Sequence, residues 1–514
     1  MLKGEKEGMS RMNVSEFCMG VAENSANLGG EYRRNLKSLL KVSEKFHSDA
    51  RIPYEKGKVR ENTLIIESGH QPLFLPYPGI WKKAFLAEFF EKKLKSMGRD
   101  AIAFFGFLDY DTSSSKLLYQ NRIPKMNKHG YLNIGLRRPE SSEIWKRFNE
   151  LEKPLEEKWE KAVNEILRNY IGSMDVEEIA EELWISYDLS DNFADLNAIA
   201  FARICKLMGV TVYFFRSSDV QKERVFVDVW KKIVDDLDKF NLLQNSAAEN
   251  LDFPDLQTDE KLAPFWYHCE CGGKVSIERR DGKFVGDCRL CGYKVEIVDS
   301  IKEFEKLSPR AIMRNVLFFE GMKTSVFITG SGGSLKYGLV SNNISKGFGF
   351  NVPKTVFWES VDVYLGKEHK AAMNAIVKEF GLSDSWEKHA ILGKVESRRR
   401  LIAAKINGSS DRRVRKKYLS HYKRTSNIIS AASSLFSLKP SIIDVVANVG
   451  IGKIIPAWEF SISQDGRITK SEIGEFYRLD SEVFYDSPEV LKVYNVFKEL
   501  EKENTKIDPL GILE

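Results

Sequence analysis

The chain has 514 residues, of which 43% are hydrophobic and 29% are charged, and its formal net charge is +5. This length exceeds what one hydrophobic core usually supports, so we expect two or three domains or large insertions in one sheet. The near-average composition excludes a disordered chain, and no run approaches the roughly 18 apolar residues of a membrane span. Residues 1–8 carry both charge signs and lack the apolar stretch of a secretory signal, which predicts a cytoplasmic protein with no membrane partner.

Five short runs rich in Val, Ile, Phe and Thr predict fully buried strands, because each is bounded by polar residues or glycine. The runs cover 63–67, 101–107, 210–215, 325–329 and 354–358. Amphipathic stretches at 79–97 and 194–208 predict crossover helices between them. The pattern predicts an α/β fold built on a doubly wound, Rossmann-like parallel sheet.

Charged, cysteine-rich and basic segments interrupt this pattern and suggest the domain order. Helical periodicity with heavy basic charge over 366–437 predicts a long helical hairpin or coiled coil, and 487–506 predicts a last helix. The predicted order is an N-terminal helical segment (1–60), the first half of the core (61–248) with a charged helical insertion at about 139–190, a cysteine module (262–298), the second half of the core (305–365) and a C-terminal helical or coiled-coil region (366–514).

Polar residues follow the first two predicted strands, at the edge where open parallel sheets bind ligands. His70 and Gln71 precede a helix whose N-terminus adds partial positive charge, so they are candidates for phosphate binding. Asp109 and Asp111 form a carboxylate pair that suits an amine, a magnesium ion or a general base. In both places the alternative is a side chain that only caps a turn or helix.

The fourth predicted strand runs into a glycine-rich loop. Its residues are Gly330, Ser331, Gly332, Gly333 and Ser334, with Lys336 and Tyr337 beyond. Backbone amides in such a loop can approach an anion closely, although the spacing matches neither the dinucleotide nor the Walker motif, and a plain turn is the alternative. The other two strand ends carry polar residues at 216–219 and 359–360. Five polar ends together point to one active site at this edge of the sheet.

Four of the six cysteines lie within 23 residues, in two pairs separated by 16 residues. They are Cys269, Cys271, Cys288 and Cys291. The spacing predicts a zinc ribbon with a structural Zn²⁺, since four thiolates leave no open position for a substrate. His268 is an alternative fourth ligand, and residues 280–282 predict the tip of the intervening hairpin. Cys18 and Cys205 are predicted to be small buried residues.

The residues after the first, second and fourth strands, taken in this order, resemble the bacillithiol biosynthesis cysteine-adding enzymes, the BshC family. The most specific part is Gly69-His70-Gln71-Pro72, which is similar to the family's Gly-His-Gln-Pro signature and to the HIGH motif of class I aminoacyl-tRNA synthetases. Residues 109–111 stand where the family has Asp-His-Asp, and 307–310 with Arg314 and the glycine loop stand where it has Ser-Pro, Arg and Gly-Gly-Pro-Gly-Glu. The resemblance covers roughly 64–360, with Tyr110 and Ser334 as departures and the zinc ribbon as an addition.

This resemblance implies a ligase that joins an amino acid, cysteine in the family, to an amine of a small thiol precursor, with ATP as the expected nucleotide. It also implies a coiled coil that pairs two chains into a homodimer. Under this hypothesis His70 and Gln71 hold phosphate or the activated carboxyl group, and Asp109 and Asp111 hold the amine. Gly69, Arg314, the glycine loop and Tyr337 are the implied substrate- or nucleotide-binding residues.

A second hypothesis of a different class is a zinc-ribbon protein that binds RNA or a nucleotide and has a synthetase-like core. Residues 394–424 hold twelve Lys or Arg against Glu396 and Asp411, which is enough for a phosphate footprint. Only Tyr418 and Tyr422 could stack on bases there, so a solvated helix face is the structural alternative.

Overall fold

The computed structural model describes residues 11–23, 28–137, 140–381, 388–472, 474–486 and 490–505. Residues 1–8, and positions 487–489 and 506 of the predicted last helix, lie outside these ranges. The strands are β1 (Arg11–Met12), β2 (Leu64–His70), β3 (Ala101–Phe107), β4 (Gln120–Pro124), β5 (Tyr131–Gly135), β6 (Tyr213–Arg216), β7 (Leu262–His268), β8 (Lys274–Arg280), β9 (Lys283–Asp287), β10 (Lys294–Ile297), β11 (Leu307–Pro309), β12 (Thr324–Thr329), β13 (Lys354–Val363), β14 (Arg467–Lys470) and β15 (Phe476–Phe484).

The α-helices lie between and after these strands. They are α1 (Val14–Glu23), α2 (Gly30–Asp49), α3 (Pro78–Ser96), α4 (Glu156–Asn169), α5 (Met174–Leu189), α6 (Phe193–Leu207), α7 (Ser217–Lys222), α8 (Val227–Asp235), α9 (Leu237–Asn250), α10 (Ala311–Gly321), α11 (Gly333–Phe348), α12 (Lys367–Phe380), α13 (Lys388–Asn407), α14 (Arg412–Ser437), α15 (Ile442–Val449), α16 (Ile451–Phe460) and α17 (Val490–Thr505). Among the described residues no single helix is long and apolar enough to cross a membrane; the pair α14 and α15, bent by 96°, passes that test by length and composition alone.

The predicted α/β fold is confirmed. Eight strands form a central sheet in the order β1-β14-β15-β13-β12-β2-β3-β6, and the six strands from β15 to β6 run parallel. Alternate residues of β2 enter different cores: Leu64 and Ile66 join the cluster that includes α3 and α6, and Ile65 joins the one that includes α10 and α11. Both faces of the sheet are therefore covered, which explains why the parallel strands read as continuous apolar runs.

Two strands end later than the sequence predicts. β2 continues through Gly69 and His70, and β13 continues to Val363, so residues 359–360 lie inside a strand. Gly69 does not serve a turn: a Cβ there would lie 2.7 Å from the carbonyl oxygen of Gly106 on β3. The glycine is required because β2 and β3 approach closely at this point.

The termini contribute strands where helix was predicted. β14 and β15 join the central sheet, β14 antiparallel to β15, and the N-terminal β1 pairs antiparallel with β14 at the edge. The predictions of a helical segment at 1–60 and a helical region at 366–514 miss these strands. Of the helices in the C-terminal region, α12, α13, α14 and α17 share one apolar cluster.

The cysteine module consists of antiparallel strands, as its pattern predicts. A five-stranded sheet has the order β10-β9-β8-β7-β11, and the hairpin between β8 and β9 turns at Asp281 and Gly282, both with positive φ. The module is not a detached unit, because Phe265 on β7 packs against Trp230 on α8 within a core cluster shared with the central sheet. This contact fixes the module beside the carboxyl ends of the parallel strands.

Candidate active site and cysteine cluster

A cleft of about 1660 Å³ lies at the carboxyl ends of β2 and β12 and along β13. The segment that joins α14 to α15, together with α17, forms its opposite wall. Among the residues predicted from sequence, it is lined by Gly69, His70, Gln71, Asp111, Arg314, Gly330, Ser331, Gly332, Gly333 and Tyr337. Asp109 and the four cysteines do not line it.

His70 presents a neutral ring to the cleft. Its Nδ1 lies 2.9 Å from the carbonyl oxygen of Gln71, and a carbonyl can only accept, so Nδ1 carries the proton. Burial, with Lys83 nearby, lowers the pKa of His70 to about 3. Nε2 is therefore a hydrogen-bond acceptor at physiological pH. Such a lone pair suits an N–H or O–H donor, whereas the predicted contact with a phosphate oxygen would require the ring to donate.

Asp111 is the centre of a cationic cluster. Gln71 Nε2 donates to its carboxylate at 3.0 Å, Lys274 Nζ lies at 3.4 Å and Arg314 Nη1 at 3.5 Å. Burial alone would raise the pKa of Asp111, but these donors outweigh it and hold the pKa below its usual value. The carboxylate is already surrounded by donors, which leaves little capacity for a substrate amine. The amine-binding role predicted for Asp111 therefore does not fit this geometry.

Asp109 points away from the cleft. Its carboxylate accepts from the backbone N–H of Ser218 at 2.9 Å, from the Ser218 hydroxyl, and from Asn149 Nδ2 at 3.4 Å. Burial raises the pKa of Asp109 to about 6, although the bonds from Ser218 favour the ionised form. The structure thus gives Asp109 a positioning contact with the start of α7 in place of the predicted contact with an amine.

Two lysines that line the cleft and a third that pairs with Asp111 were missed from the sequence. Lys82 and Lys83 lie on α3, and Lys274 begins β8 of the cysteine module. Lys82 donates to Ser360 Oγ at 2.7 Å and forms an ion pair with Asp362. The available signal was a pair of cations, Lys82 and Lys83, within the otherwise apolar first ten residues of α3, since lysines are rarely buried without a partner.

The four cysteine sulfurs form one cluster that could hold a metal ion. All lie within 4.8 Å of one another, with Cys269 and Cys291 at 3.6 Å and Cys271 and Cys288 at 3.5 Å. Four thiolates at about 2.3 Å from one tetrahedral ion would be separated by about 3.8 Å, so the donor set fits such an ion. Gly273 makes room for it, because a Cβ there would lie 2.8 Å from the Cys288 sulfur.

His268 does not belong to this cluster. Its Nε2 lies 2.8 Å from Ser308 Oγ, and its ring packs near Tyr110 with centroids 5.8 Å apart. The four cysteines are the donors that the structure brings together among the described residues. The alternative in which His268 replaces a thiolate is therefore not supported.

The cysteine cluster is connected to the cleft by backbone contacts. Arg147 N–H donates to the carbonyl oxygen of Gly272, next to Cys271, at 2.9 Å. One residue later, Phe148 N–H donates to the carbonyl oxygen of Asp111 at 2.9 Å. Lys274, three residues after Cys271, reaches the Asp111 side chain. The cysteine turn therefore supports Asp111 from two directions.

Comparison with known proteins adds little to this geometry. No family model matches the chain, and no curated protein matches it. Among solved structures, a Campylobacter jejuni protein provisionally assigned as an arginyl-tRNA synthetase is similar over 91% of this chain and 96% of its own, at 8% sequence identity and a TM-score of 0.25. At that TM-score the similarity carries no argument about fold or function.

Proposed function

We propose that this chain is an amide-forming ligase of the BshC-like type, which joins a carboxylate to an amine in the cleft at the strand ends. The observation that supports this proposal is the convergence of three groups on one cleft: His70 with Gln71, the Asp111 cluster, and the glycine loop 330–334. Together they offer an acceptor, the guanidinium of Arg314 and a set of backbone amides. An acid, an amine and an activating nucleotide require these three kinds of contact.

The polar groups divide by chemistry. Arg314 is a cleft-lining cation that suits the substrate carboxylate, and Asp111, which also pairs with the buried Lys274, holds Arg314 in place. His70 Nε2 accepts a hydrogen bond from the neutral amine and directs the nitrogen lone pair toward the acyl carbon. A bound ATP would supply the phosphoryl or adenylyl group that activates the carboxylate. The glycine loop at the start of α11 is the part of the cleft suited to its phosphates.

Replacement of His70 tests this assignment. We expect His70→Ala to lower kcat for amide formation by about 100-fold, as for the loss of a group that orients a reactant, with nucleotide affinity changed less than twofold. The wild-type rate should show no inflection near pH 6.5 from His70, because its pKa of about 3 keeps the ring neutral. Product would be measured by mass spectrometry with ATP, magnesium and a panel of amino acids and amines.

The exposed His129→Ala is the matched control and should behave as wild type. Unchanged amide formation in His70→Ala would contradict the role of His70. If wild type forms no amide with any pair in the panel and splits no ATP, the ligase proposal itself fails.

We further propose that the cysteine cluster holds a structural zinc ion. Four thiolates are the donor set of closed, structural zinc sites, and the cluster stands outside the cleft, where a substrate would not reach it. The ion would organise the turns at Gly272 and Gly292, which both have positive φ. Its chemistry would be limited to holding these turns.

RNA binding is a second candidate function, supported by the exposed start of α14. Five cations there are exposed and form no ion pair with any described residue: Arg412, Arg413, Arg415, Lys416 and Lys417. Tyr422 is buried against Ile402 and Ile406, so it cannot stack on a base. The surface therefore suits phosphate contacts without base recognition.

Charge reversal tests this surface. We expect a variant with Arg412, Arg413, Lys416 and Lys417 all changed to Glu to lose RNA binding, since each phosphate contact adds about 0.7 to 0.9 to the salt dependence of log K. Filter binding of a duplex and a single-stranded RNA over a range of salt would measure it. A control with Glu at the exposed Lys37, Lys41, Lys206 and Lys232 should retain binding. Equal, salt-insensitive binding by both variants would leave α14 as a solvated face.

A further inference from the structure

Lys83 is a buried cation without a carboxylate partner. Its side chain ends 3.3 Å from the carbonyl oxygen of Gly69, and no described carboxylate forms an ion pair with it. The neighbouring Lys82 is equally buried but is satisfied by Ser360 and Asp362. Of these two adjacent buried lysines, Lys82 has a carboxylate partner and Lys83 has none among the described residues.

An unpaired buried charge is unfavourable, because removal from water is not compensated by an opposite charge. Burial lowers the pKa of Lys83 to about 8, so the ammonium form still predominates at pH 7. Lys83 lines the cleft. A bound anion in the cleft would provide the missing counter-charge.

The glycine loop lies directly against this lysine. A Cβ on Gly330 would stand 3.5 Å from Cε and 3.8 Å from Nζ of Lys83. The loop leads into the 16-residue helix α11, whose N-cap is Gly332, and the amides of a first helical turn have no intrahelical acceptor. Gly332 has open space on its Cβ side, so an incoming group can approach the backbone.

A second polar group at the same place lacks a partner. Thr329, the last residue of β12, is 3% exposed, and its Oγ1 makes no hydrogen bond to any described residue. Thr329 lines the cleft and also a smaller cavity of about 70 Å³ beneath the loop. Lys83 and Arg314 line both spaces as well. An ammonium, a guanidinium and an unpaired hydroxyl thus surround one pocket below the amides of the loop.

We propose that Lys83, Thr329 and the glycine loop 330–334 form a binding site for a phosphoryl group, which in the proposed ligase would be the terminal phosphates of the nucleotide. The proposal deepens the proposed function, since it places the phosphates at Lys83 and away from His70. A phosphate carries several oxygens in a tetrahedral arrangement, and donors from a helix start, a strand end and α3 can meet them from different sides. A planar carboxylate has only two oxygens for these donors.

Calorimetric titration with pyrophosphate, ATP and adenosine tests the site. We expect Lys83→Met to weaken pyrophosphate and ATP binding at least tenfold and to leave adenosine binding unchanged, while Lys83→Arg retains part of the affinity. Thr329→Val should weaken pyrophosphate binding by a smaller factor, about threefold to tenfold, as for one hydrogen bond of typical net strength. The exposed Lys41→Met is the control for loss of one positive charge and should bind as wild type.

Thermal melting separates ligand binding from folding. Because Lys83→Met removes an unpaired buried charge, the variant without ligand should melt at the same or a higher temperature than wild type. Pyrophosphate should raise the melting temperature of wild type but not of Lys83→Met. Equal pyrophosphate affinity and equal stabilisation in the two proteins would overturn the phosphoryl site.

The two proposals can fail separately. Lys83-dependent pyrophosphate and ATP binding without amide formation would retain the phosphoryl site and remove the ligase. Amide formation in wild type that persists unchanged in Lys83→Met, with unaltered ATP affinity, would retain the ligase and remove the phosphoryl site.

Discussion

Cys288→Ser should abolish stoichiometric metal binding and unfold the cysteine module. Structural zinc contributes about 10–16 kcal/mol of apparent binding free energy in isolated zinc fingers, so the loss of one ligand of four has a large effect. Cys288 is buried beside Gly273. Among the described residues, no other metal-binding side chain belongs to this cluster, so none is in place to replace the lost thiolate. Elemental analysis should give about one zinc ion per wild-type chain and much less in the variant.

Limited proteolysis at 262–298 and the melting temperature would report the folding of the module. Cys205→Ala removes a buried cysteine outside the cluster and should keep its zinc. Soluble wild-type protein with no bound metal, or a Cys288→Ser variant with full metal content, would contradict the assignment.

Loss of the metal should also disturb the residues that position Asp111 in the cleft. Lys274 and the 146–149 segment are fixed by the turn at Cys271, and both contact the Asp111 region. We therefore expect zinc removal with a chelator to weaken binding of a carboxylate substrate. Adenosine binding should change less, because the glycine loop lies between β12 and α11, outside the cysteine module.

Strongly local signals account for the parts of the fold that the sequence predicts well. Residues 101–107 are uninterrupted apolar or glycine and become strand β3 with the predicted bounds. The cysteine spacing and the turn at Asp281 and Gly282 depend on residues close in sequence, and they too agree with the structure. In these cases burial or turn geometry is encoded within a few residues.

Features that depend on distant partners were missed. β15 alternates apolar and polar residues within a region dominated by helices, and its place in the sheet is set by β13, more than a hundred residues earlier. Gly69 is part of the Gly-His-Gln-Pro motif, but the reason for a glycine there is its close approach to Gly106 on the neighbouring strand. When the contact partner is this far away in sequence, the reason for a residue cannot be read from its neighbours in the chain.

The candidate site shows the same division. The polar residues at the strand ends were visible in the sequence. Only the structure shows that Asp111 lines the cleft, whereas the Asp109 carboxylate points away from it and accepts a hydrogen bond from Ser218. The contact of Lys274 with Asp111 could not be predicted, because Lys274 lies in the cysteine module, more than 160 residues further along the chain. The location of the site was predictable from strand order, whereas the division of roles among its residues was not.

Asp111→Asn should destabilise the folded protein by about 3 kcal/mol near pH 6. The substitution removes the carboxylate between Lys274, whose side chain is 3% exposed, and Arg314, at 13%. Removal of one partner from a buried ion pair costs about 3–5 kcal/mol, and the partial exposure of Asp111 at 21% places the effect at the lower end of that range. Denaturant unfolding would measure it, and Asp235→Asn in the exposed pair with Lys231 should have almost no effect.

The pH dependence and a second substitution identify the cause. Burial lowers the pKa of Lys274 to about 8 even with Asp111 present, and loss of Asp111 should lower it further. A lysine whose pKa is lower in the folded than in the unfolded protein destabilises the folded state most at low pH, where it is charged in both states. This destabilisation decreases as the pH rises above the folded pKa, because the buried lysine then loses its charge. The loss of unfolding free energy caused by Asp111→Asn should therefore become smaller from pH 6 to pH 9. The loss that persists at pH 9 reflects the unpaired Arg314. Adding Lys274→Met to Asp111→Asn should recover stability relative to Asp111→Asn alone. A deficit that is independent of pH and unchanged by Lys274→Met would show that Lys274 and Asp111 are not coupled in the folded protein.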